Sequence, residues 1–503
     1  MSIINKLVLA AYSGRLRQMD RMATGAAPMQ ANELTKLLCK AETTAFGRDH
    51  GLTGGTAYAD FDRLVPVTDY EGFRPYVERM VAGEADVCWP GRVKWFAKSS
   101  GTSGSKSKFI PVTDDALRHC HMRGNNDVIA TYFRQNPDTR AWRGKCLTLG
   151  GSKKLTSTGA GSQTGDLSAI MIGNAPLWSE MFKTPAKDIA LIANWEEKLE
   201  KIYAATVKQN VTSLAGVPSW FLVLIKYIME RSGAKTLQDV WPNLELFIHG
   251  GINFDPYREQ YKALAPHNMH FLETYNASEG FFSIQTDPKD RAMQLMLDYG
   301  VFYEFVPLGE AGQRHPHGIV PLEGVKTGVD YAMVISTNGG LWRYMIGDTV
   351  RFTQTEPYKI VISGRTKLYI NAFGEELMIS NAEAAMARAC AATGAVVREY
   401  TAAPVFMDAA SRGCHEWLVE FERKPESAEG FAKELDKALQ DVNSDYEAKR
   451  YKDITLAPLR LTVARDGLFA DWLAKHGKLG GQNKVPRLKN DRQLIDELLK
   501  MNQ

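Results

Sequence analysis

The middle of the chain alternates short apolar runs with amphipathic stretches, and this alternation constrains the fold more than any other feature of the sequence. Apolar runs of strand length occur at residues 146–149, 246–248 and 331–335, and residues 220–231 carry apolar side chains at helical spacing. Strands that alternate with helices predict an α/β architecture with at least partly parallel sheets. We therefore expect mixed sheets flanked by helices.

At 503 residues the chain is too long for a single hydrophobic core, so at least two domains are expected. The first 50 or so residues have a helical pattern, with a run from Asn32 that should end at Gly47, a residue suited to a C-terminal cap. The predicted organisation is a large domain, residues 1–363, and a smaller, mobile α+β domain, residues 364–503. In the smaller domain we expect helices at 381–392 and 428–442, and strands at 417–421 and 459–463.

Composition excludes some classes of function. The 61 basic and 58 acidic residues are mixed along the chain, which gives no basic footprint for nucleic acid. No run approaches the roughly 18 apolar residues of a membrane span, and six scattered cysteines without a C-x-x-C pair favour a reducing compartment. We expect a cytoplasmic protein that binds neither nucleic acid nor a membrane. His119, Cys120 and His121 should diverge on a helix, so no structural metal is assigned.

The segment KSSGTSGSKSK, residues 98–108, has the composition of a phosphate-binding loop. Small residues allow close approach of the backbone, while hydroxyls, backbone N–H groups and lysines supply donors and positive charge. The Walker A pattern cannot be laid on Gly101, Gly104 and Lys106. A flexible surface loop explains the composition equally well.

The segment TYNASEG, residues 274–280, combines an aromatic ring with a carboxylate. Tyr275 could lie against a nucleobase, and Glu279 could hold Mg²⁺ beside phosphates. Considered alone, a turn at a strand end with Glu279 in solvent is the simpler explanation. Upstream, Gly250 and Gly251 follow a predicted strand, where a flat ligand could approach the backbone or the chain could simply turn.

The segment LWRYMIGD, residues 341–348, places Asp348 after Gly347 at the end of a predicted strand. An aspartate in this position can bind both ribose hydroxyls. A hairpin turn at Gly347 and Asp348 is the simpler explanation if the segment is considered alone.

In this order, the three segments resemble the signature of the auxin-responsive acyl acid amido synthetases of plants and their bacterial relatives. This family lies within the superfamily of acyl-CoA ligases, luciferase and peptide-synthetase adenylation domains. The family's S-S-G-T-S loop with a following lysine is matched by Ser99 to Ser103 with Lys108. Its Y-x-x-S-E motif is matched by Tyr275, Ser278 and Glu279. Its Y-R-x-G-D motif is matched in part, by Tyr344, Gly347 and Asp348. Met345 stands where arginine is usual, and Arg343 is a candidate to replace it. Segments at 46–51, 65–67, 76–80 and 216–220 extend the resemblance over nearly the whole chain, and we expect a bacterial member of the family.

The resemblance implies the adenylate-forming enzyme fold and ATP-dependent activation of a small carboxylic acid as an acyl-adenylate, with transfer to an amino acid. It implies ATP and Mg²⁺ as cofactors, with Glu279 on the metal and Lys108 and Lys484 as catalytic lysines. The nucleotide-binding residues it implies are Ser99, Ser100, Thr102, Ser103, Gly250, Gly251, Tyr275, Ser278, Asp348 and Arg365. It also implies a hinge at Lys367, in the segment SGRTKLYINAFGEEL, and an acyl site bordered by Val217 and Trp220.

Two other functions remain open. The acyl group could pass to coenzyme A as a thioester, or the chain could be a nucleotide-binding relative that has lost catalysis. The departure at Met345 is the sequence feature that favours the second alternative.

Overall fold

The computed structural model describes most of the chain. The described residues are 2–99, 108–150, 156–157, 161–192, 194–251, 254–265, 269–308, 318–365, 369–407, 412–450, 456–476 and 485–503.

Helices occur along the whole described chain. In order they are α1 (Ile3–Arg21), α2 (Ala26–Ala41), α3 (Ala45–Asp49), α4 (Tyr58–Leu64), α5 (Tyr70–Val81), α6 (Arg123–Gln135), α7 (Leu167–Gly173), α8 (Lys187–Ala190), α9 (Trp195–Thr206), α10 (Pro218–Ser232), α11 (Leu237–Val240), α12 (Asp255–Leu264), α13 (Ile379–Thr393), α14 (Ala428–Val442), α15 (Ser444–Arg450), α16 (Leu468–Lys475) and α17 (Gln493–Met501). A π-helical segment, Ala116–Met122, runs directly into α6.

Strands are concentrated between residues 95 and 378. In order they are β1 (Trp95–Ser99), β2 (Lys108–Val112), β3 (Lys145–Thr148), β4 (Thr156–Ser157), β5 (Gln163–Gly165), β6 (Lys183–Thr184), β7 (Val211–Gly216), β8 (Leu246–Gly250), β9 (His270–Ala277), β10 (Gly280–Ile284), β11 (Met293–Leu295), β12 (Val301–Pro307), β13 (Val320–Pro321), β14 (Asp330–Thr337), β15 (Tyr344–Thr355), β16 (Tyr358–Arg365), β17 (Tyr369–Ile370) and β18 (Leu377–Met378), followed by β19 (Val396–Val405), β20 (Cys414–Arg423) and β21 (Arg460–Val463).

One large sheet organises the fold. It has twelve strands in the order β13-β12-β14-β15-β16-β11-β10-β9-β8-β7-β3-β6. Neighbours from β6 to β9 are parallel, while those from β9 to β13 are antiparallel. A parallel half joined to an antiparallel half confirms the predicted α/β architecture with mixed sheets.

Besides the large sheet, the described residues form two sheets of three or four strands and the two-stranded sheet β17-β18. The first has the order β2-β1-β5-β4, with β1 and β2 antiparallel and Ser99 paired with Lys108. The second, β19-β20-β21, carries α13 and α14 and lies towards the C-terminus. Apolar side chains of this C-terminal part, such as Phe373 and Trp417, share one buried cluster with Phe221 of α10 and Tyr257 of α12. The C-terminal part is therefore packed on the parallel half of the large sheet.

Local sequence signals place α14 at its predicted bounds. The Ser427 hydroxyl accepts the Gly430 N–H at 3.0 Å and caps the helix, while Phe431, Leu435 and Leu439 fall on its buried face. The predicted strands at 417–421, 246–248 and 331–335 lie within β20, β8 and β14.

The expected helix end at Gly47 is wrong. Helix α2 ends at Ala41, and Gly47 lies inside the short helix α3. A Cβ atom at Gly47 would lie 2.0 Å from the Ala41 carbonyl oxygen, so glycine is needed here for a close backbone approach rather than for a cap. In the described part of the chain, no helix has both the length and the apolar character required to cross a membrane.

Candidate active site

A cleft of about 2360 Å³ opens where the parallel strands of the large sheet end. Thr148 at the end of β3, Val217 after β7, Gly251 after β8 and Ala277 at the end of β9 all line it. Ligands of α/β proteins bind at the carboxyl ends of parallel strands, where loops and helix N-termini converge. The topology therefore places the candidate site at this edge.

The TYNASEG segment forms one wall of the cleft. Ser278 and Glu279 make the turn between β9 and β10, and both line the cleft. The turn expected at a strand end is thus present, but Glu279 faces the cleft and is partly buried. Tyr275 is buried, and its hydroxyl donates a hydrogen bond to the Asp348 carboxylate at 2.5 Å.

Asp348 reaches this position through a β-bulge. Ala332 pairs with Thr349 and Val334 with Met345, so a shorter stretch of β14 faces a longer stretch of β15. Gly347 lies in the bulge with φ of +97°, a conformation that favours glycine. The hairpin interpretation of the Gly-Asp pair is therefore wrong, because Asp348 lies inside a long strand.

Arg343 does not replace the missing arginine. Its buried guanidinium donates to both oxygens of Glu304 at 2.9 Å and to Asp62 Oδ1 at 2.6 Å. Met345 packs in a small apolar cluster that includes Val334. Neither side chain is among the described residues that line the cleft.

The two glycines after β8 differ in their surroundings. A Cβ atom at Gly250 would lie 2.3 Å from the Thr274 carbonyl oxygen of the adjacent strand β9, so this position requires glycine for packing. Gly251 has φ of +85° and lines the cleft itself. Gly250 is not among the described residues that line the cleft, although it directly precedes Gly251.

The strands that flank the predicted phosphate loop pair at Ser99 and Lys108, and the second strand reaches the cleft. Lys108 lines it from β2; its side chain is mostly buried, with Nζ 5.9 Å from the centroid of the Tyr70 ring. Ser100, Thr102 and Ser103 lie outside the described residues, as do Lys367 and Lys484. The backbone of Arg365 pairs with that of Asp348 across β15 and β16, so these two predicted site residues are neighbours.

The predicted acyl-site residues have different surroundings. Val217 lines the cleft directly before α10. Trp220, one turn further along, is covered by Lys449 of α15, whose Nζ lies 3.4 Å from the centroid of the indole ring. Burial lowers the pKa of Lys449 to about 8. Trp220 therefore faces the C-terminal part of the chain in this structure.

A hydrogen bond between His121 and the cleft-wall residue Asn276 was not predicted from the sequence. His119 is exposed, whereas His121 is buried and its Nδ1 lies 3.2 Å from Oδ1 of Asn276, a residue of the cleft wall. Burial lowers the pKa of His121 to about 4, so it is neutral at pH 7. The two histidines diverge as expected, and the described residues contain no cluster of three metal-ligating side chains.

Comparison with known proteins identifies the family. The GH3 family N-terminal domain matches residues 15–169 and 160–269, the central domain matches residues 294–365 and the C-terminal domain matches residues 380–493. The chain belongs to the GH3 family. This confirms the resemblance inferred from the three motifs.

Relatives match the chain over nearly its whole length. It is 23% identical to the indole-3-acetic acid-amido synthetase GH3.8 of Oryza sativa subsp. indica, over 94% of this chain and 90% of that protein. It is 24% identical to the 4-substituted benzoates-glutamate ligase GH3.12 of Arabidopsis thaliana, over 85% of this chain and 87% of that protein.

Two solved structures share the fold. The AtGH3.15 acyl acid amido synthetase in complex with 2,4-DB has a TM-score of 0.62 and 18% identity, covering 97% of this chain and 95% of that chain. A 2-hydroxyisobutyryl-CoA ligase in the thioesterification state has a TM-score of 0.52 and 14% identity, covering 99% of this chain and 92% of that chain. These likenesses confirm the adenylate-forming enzyme fold.

The cleft is shared by all three matched GH3 regions. Val217 belongs to the N-terminal region, Asp348 to the central region, and Lys489 and Asn490 to the C-terminal region. Lys489 and Asn490 were absent from the predicted site, which included only Lys484 from this C-terminal region. Their participation means that the GH3 cleft is closed on one side by the part of the chain that follows the large sheet.

Proposed function

We propose that this GH3 family member uses ATP to activate a carboxylic acid as an acyl-adenylate, releases pyrophosphate, and transfers the acyl group to the amine of an amino acid. The observation that carries the proposal is the convergence of Tyr275, Glu279, Asp348 and Lys108 on one cleft at the carboxyl ends of the parallel strands. The two curated relatives named above are an indole-3-acetic acid-amido synthetase and a 4-substituted benzoates-glutamate ligase, which supports the same chemistry.

Tyr275 and Asp348 support the assignment of one end of the cleft to ATP. The Tyr275 hydroxyl orients the Asp348 carboxylate, and a carboxylate oriented in this way can accept hydrogen bonds from ribose hydroxyls. We assign the phosphates to Ser99, Ser100, Thr102 and Ser103, with Gly250, Gly251 and Ser278 at the adenine side and Arg365 near the ribose.

One carboxylate in the cleft wall is sufficient for Mg²⁺. This ion binds proteins through one or two carboxylates, retains several waters, and takes further oxygens from phosphates. Glu279, on its turn in the cleft wall, fits that pattern. When bound, the ion would offset phosphate charge.

Lysines supply the remaining positive charge. A carboxylate is a poor electrophile and a poor leaving group, so activation depends on positioning the acid and on neutralising charge at the α-phosphate. Lys108 supplies charge from β2, where burial beside Tyr70 restricts its position. We assign Lys484 to the carboxylate and the α-phosphate, and Val217 and Trp220 to the border of the acyl site.

We propose that the chain divides into two domains between residues 363 and 364. A division there would allow the cleft to take a different arrangement in each half-reaction. Strand β16 ends at Arg365, and the smaller sheet β19-β20-β21 follows. Lys367 would be the hinge between these parts. We also infer a cytoplasmic location, which the six free cysteines support.

A panel of carboxylic acids in an ATP–pyrophosphate exchange assay tests the first half-reaction. We expect Lys484→Ala to reduce exchange sharply while ATP binding is retained, and an unchanged rate would remove Lys484 from the mechanism. Exchange with any acid would eliminate the catalytically silent alternative. AMP formation that depends on coenzyme A rather than on an amino acid would favour a thioester-forming ligase, the function of the second structural relative.

A further inference from the structure

The backbone of the C-terminal wall of the cleft is fixed by two hydrogen bonds to one residue of β19. The Ala402 N–H of β19 donates to the Arg487 carbonyl at 2.9 Å, and the Lys489 N–H donates to the Ala402 carbonyl at 3.0 Å. Between them Leu488 is buried in the core. Residues 487–489 are therefore held against β19 like an added strand. Lys489 lies at the end of this segment and lines the cleft.

A second segment reaches the same wall from the loop after β17. The Asn371 N–H donates to Asn490 Oδ1 at 2.8 Å, and the Glu376 N–H donates to Asn371 Oδ1 at 3.2 Å. Glu376, Asn371 and Asn490 line the cleft together with Lys489. This chain of contacts brings an acidic and a basic side chain to one wall.

Both charged positions have features of a binding site. Glu376 has φ of +39°, which is uncommon for a residue other than glycine and is often retained where function requires it. The neighbouring Arg487 and Arg492 are paired with Glu399 and Glu416. Within the described residues, by contrast, no hydrogen bond or ion pair engages the Lys489 ammonium group.

We propose that Glu376 and Lys489 bind the acceptor amino acid, with Lys489 on its carboxylate and Glu376 on its amino group. The inference rests on the proposed function. An amino acid carries one charge of each sign a few bonds apart, and the wall offers the complementary pair. The nucleotide residues Tyr275 and Asp348 belong to the large sheet, so the C-terminal wall is available to a second substrate.

An anionic phosphate could also attract Lys489, and the two half-reactions separate these ligands. Acid-dependent ATP–pyrophosphate exchange reports on the nucleotide alone. Formation of the amide and AMP, measured against amino acid concentration, reports on the acceptor. Each amino acid is compared with its carboxamide, which keeps the amine and lacks the carboxylate.

Lys489→Met retains the aliphatic part of the side chain and removes the charge. We expect its exchange rate to stay within about twofold of wild type and its KM for amino acids to rise about tenfold or more, corresponding to about 1.4 kcal/mol. The KM for amino acid amides should not change, and Lys489→Arg should restore most of the affinity. Glu376→Gln should raise the KM for both kinds of acceptor.

Lys437→Met on the exposed side of α14 is the matched control, and thermal unfolding verifies that each variant is folded. Parallel loss of exchange in Lys489→Met would assign the residue to the nucleotide and overturn the proposal, as would an unchanged KM for amino acids. A wild-type enzyme that catalyses exchange but forms no amide would instead contradict the proposed function.

Discussion

The hydrogen bond from the Tyr275 hydroxyl to Asp348 provides a direct test of the proposed nucleotide site. Its length is 2.5 Å, and the two residues are only 4% and 7% exposed. Tyr275→Phe removes one oxygen and keeps the ring, whose centroid lies 4.9 Å from that of Phe282. Since a hydrogen bond to a charged group contributes about 1.5–3 kcal/mol, the free energy of unfolding should fall by about that amount.

The same substitution should weaken ATP binding. The Asp348 carboxylate loses a donor that fixes its orientation, and the ribose hydroxyls then meet a less ordered acceptor. We expect the KM for ATP in the exchange assay to rise about tenfold, which corresponds to about 1.4 kcal/mol. The KM for the acid should change little, because Tyr275 lies on β9, whereas Val217 follows β7 at the start of α10.

Tyr303→Phe is the matched control, because it also removes a buried tyrosine hydroxyl, but one that does not lie at the cleft. Tyr303 is buried, and its hydroxyl donates to the Met296 carbonyl at 3.1 Å. A neutral hydrogen bond contributes about 1 kcal/mol, so this variant should lose stability without a change in the KM for ATP. If Tyr275→Phe lost stability but kept the wild-type KM for ATP, the assignment of Asp348 to the ribose would be refuted.

Two further substitutions test the buried charges. Because burial lowers the pKa of Lys449 to about 8 from its ordinary 10.5, the native state binds fewer protons than the unfolded state between those pH values. The stability of wild type relative to Lys449→Met should therefore rise with pH across that window, by at most about 1.4 kcal/mol per pH unit; a constant difference in urea titrations would contradict this. Arg343→Met leaves Glu304 buried without its cation and should cost about 3–5 kcal/mol in denaturant titrations, with an unchanged KM for ATP in the folded enzyme. An increase in that KM would mean that Arg343 acts on the nucleotide after all.

Patterns that depend on neighbouring residues were predictable from the sequence. The cap at Ser427 and the apolar spacing after it determine α14, and the order of the three motifs indicates the family that the domain matches confirm. Described residues of the three motifs, Lys108, Glu279 and Asp348, line one cleft. Of these, Glu279 lies there because it follows the parallel strand β9, whose end shares an edge of the sheet with its neighbours. The roles of Ser100, Lys367 and Lys484 stay predictions.

Contacts between distant segments were not predictable in the same way. A Gly-Asp pair has one sequence pattern whether it forms a hairpin or a bulge, and only the pairing of β15 with β14 decides for the bulge. Likewise, nothing near Lys489 in the sequence indicates that it faces the cleft. Its position depends on Ala402, which belongs to a strand far away along the chain.

The bulge at Gly347 also explains why a methionine at position 345 is compatible with an active site. Met345 pairs with Val334 before the bulge and packs against apolar neighbours, while Asp348, after the bulge, faces Tyr275. The two positions therefore belong to different environments along one strand. Because Met345 does not line the described cleft, the departure from the family pattern gives no support to a catalytically silent relative.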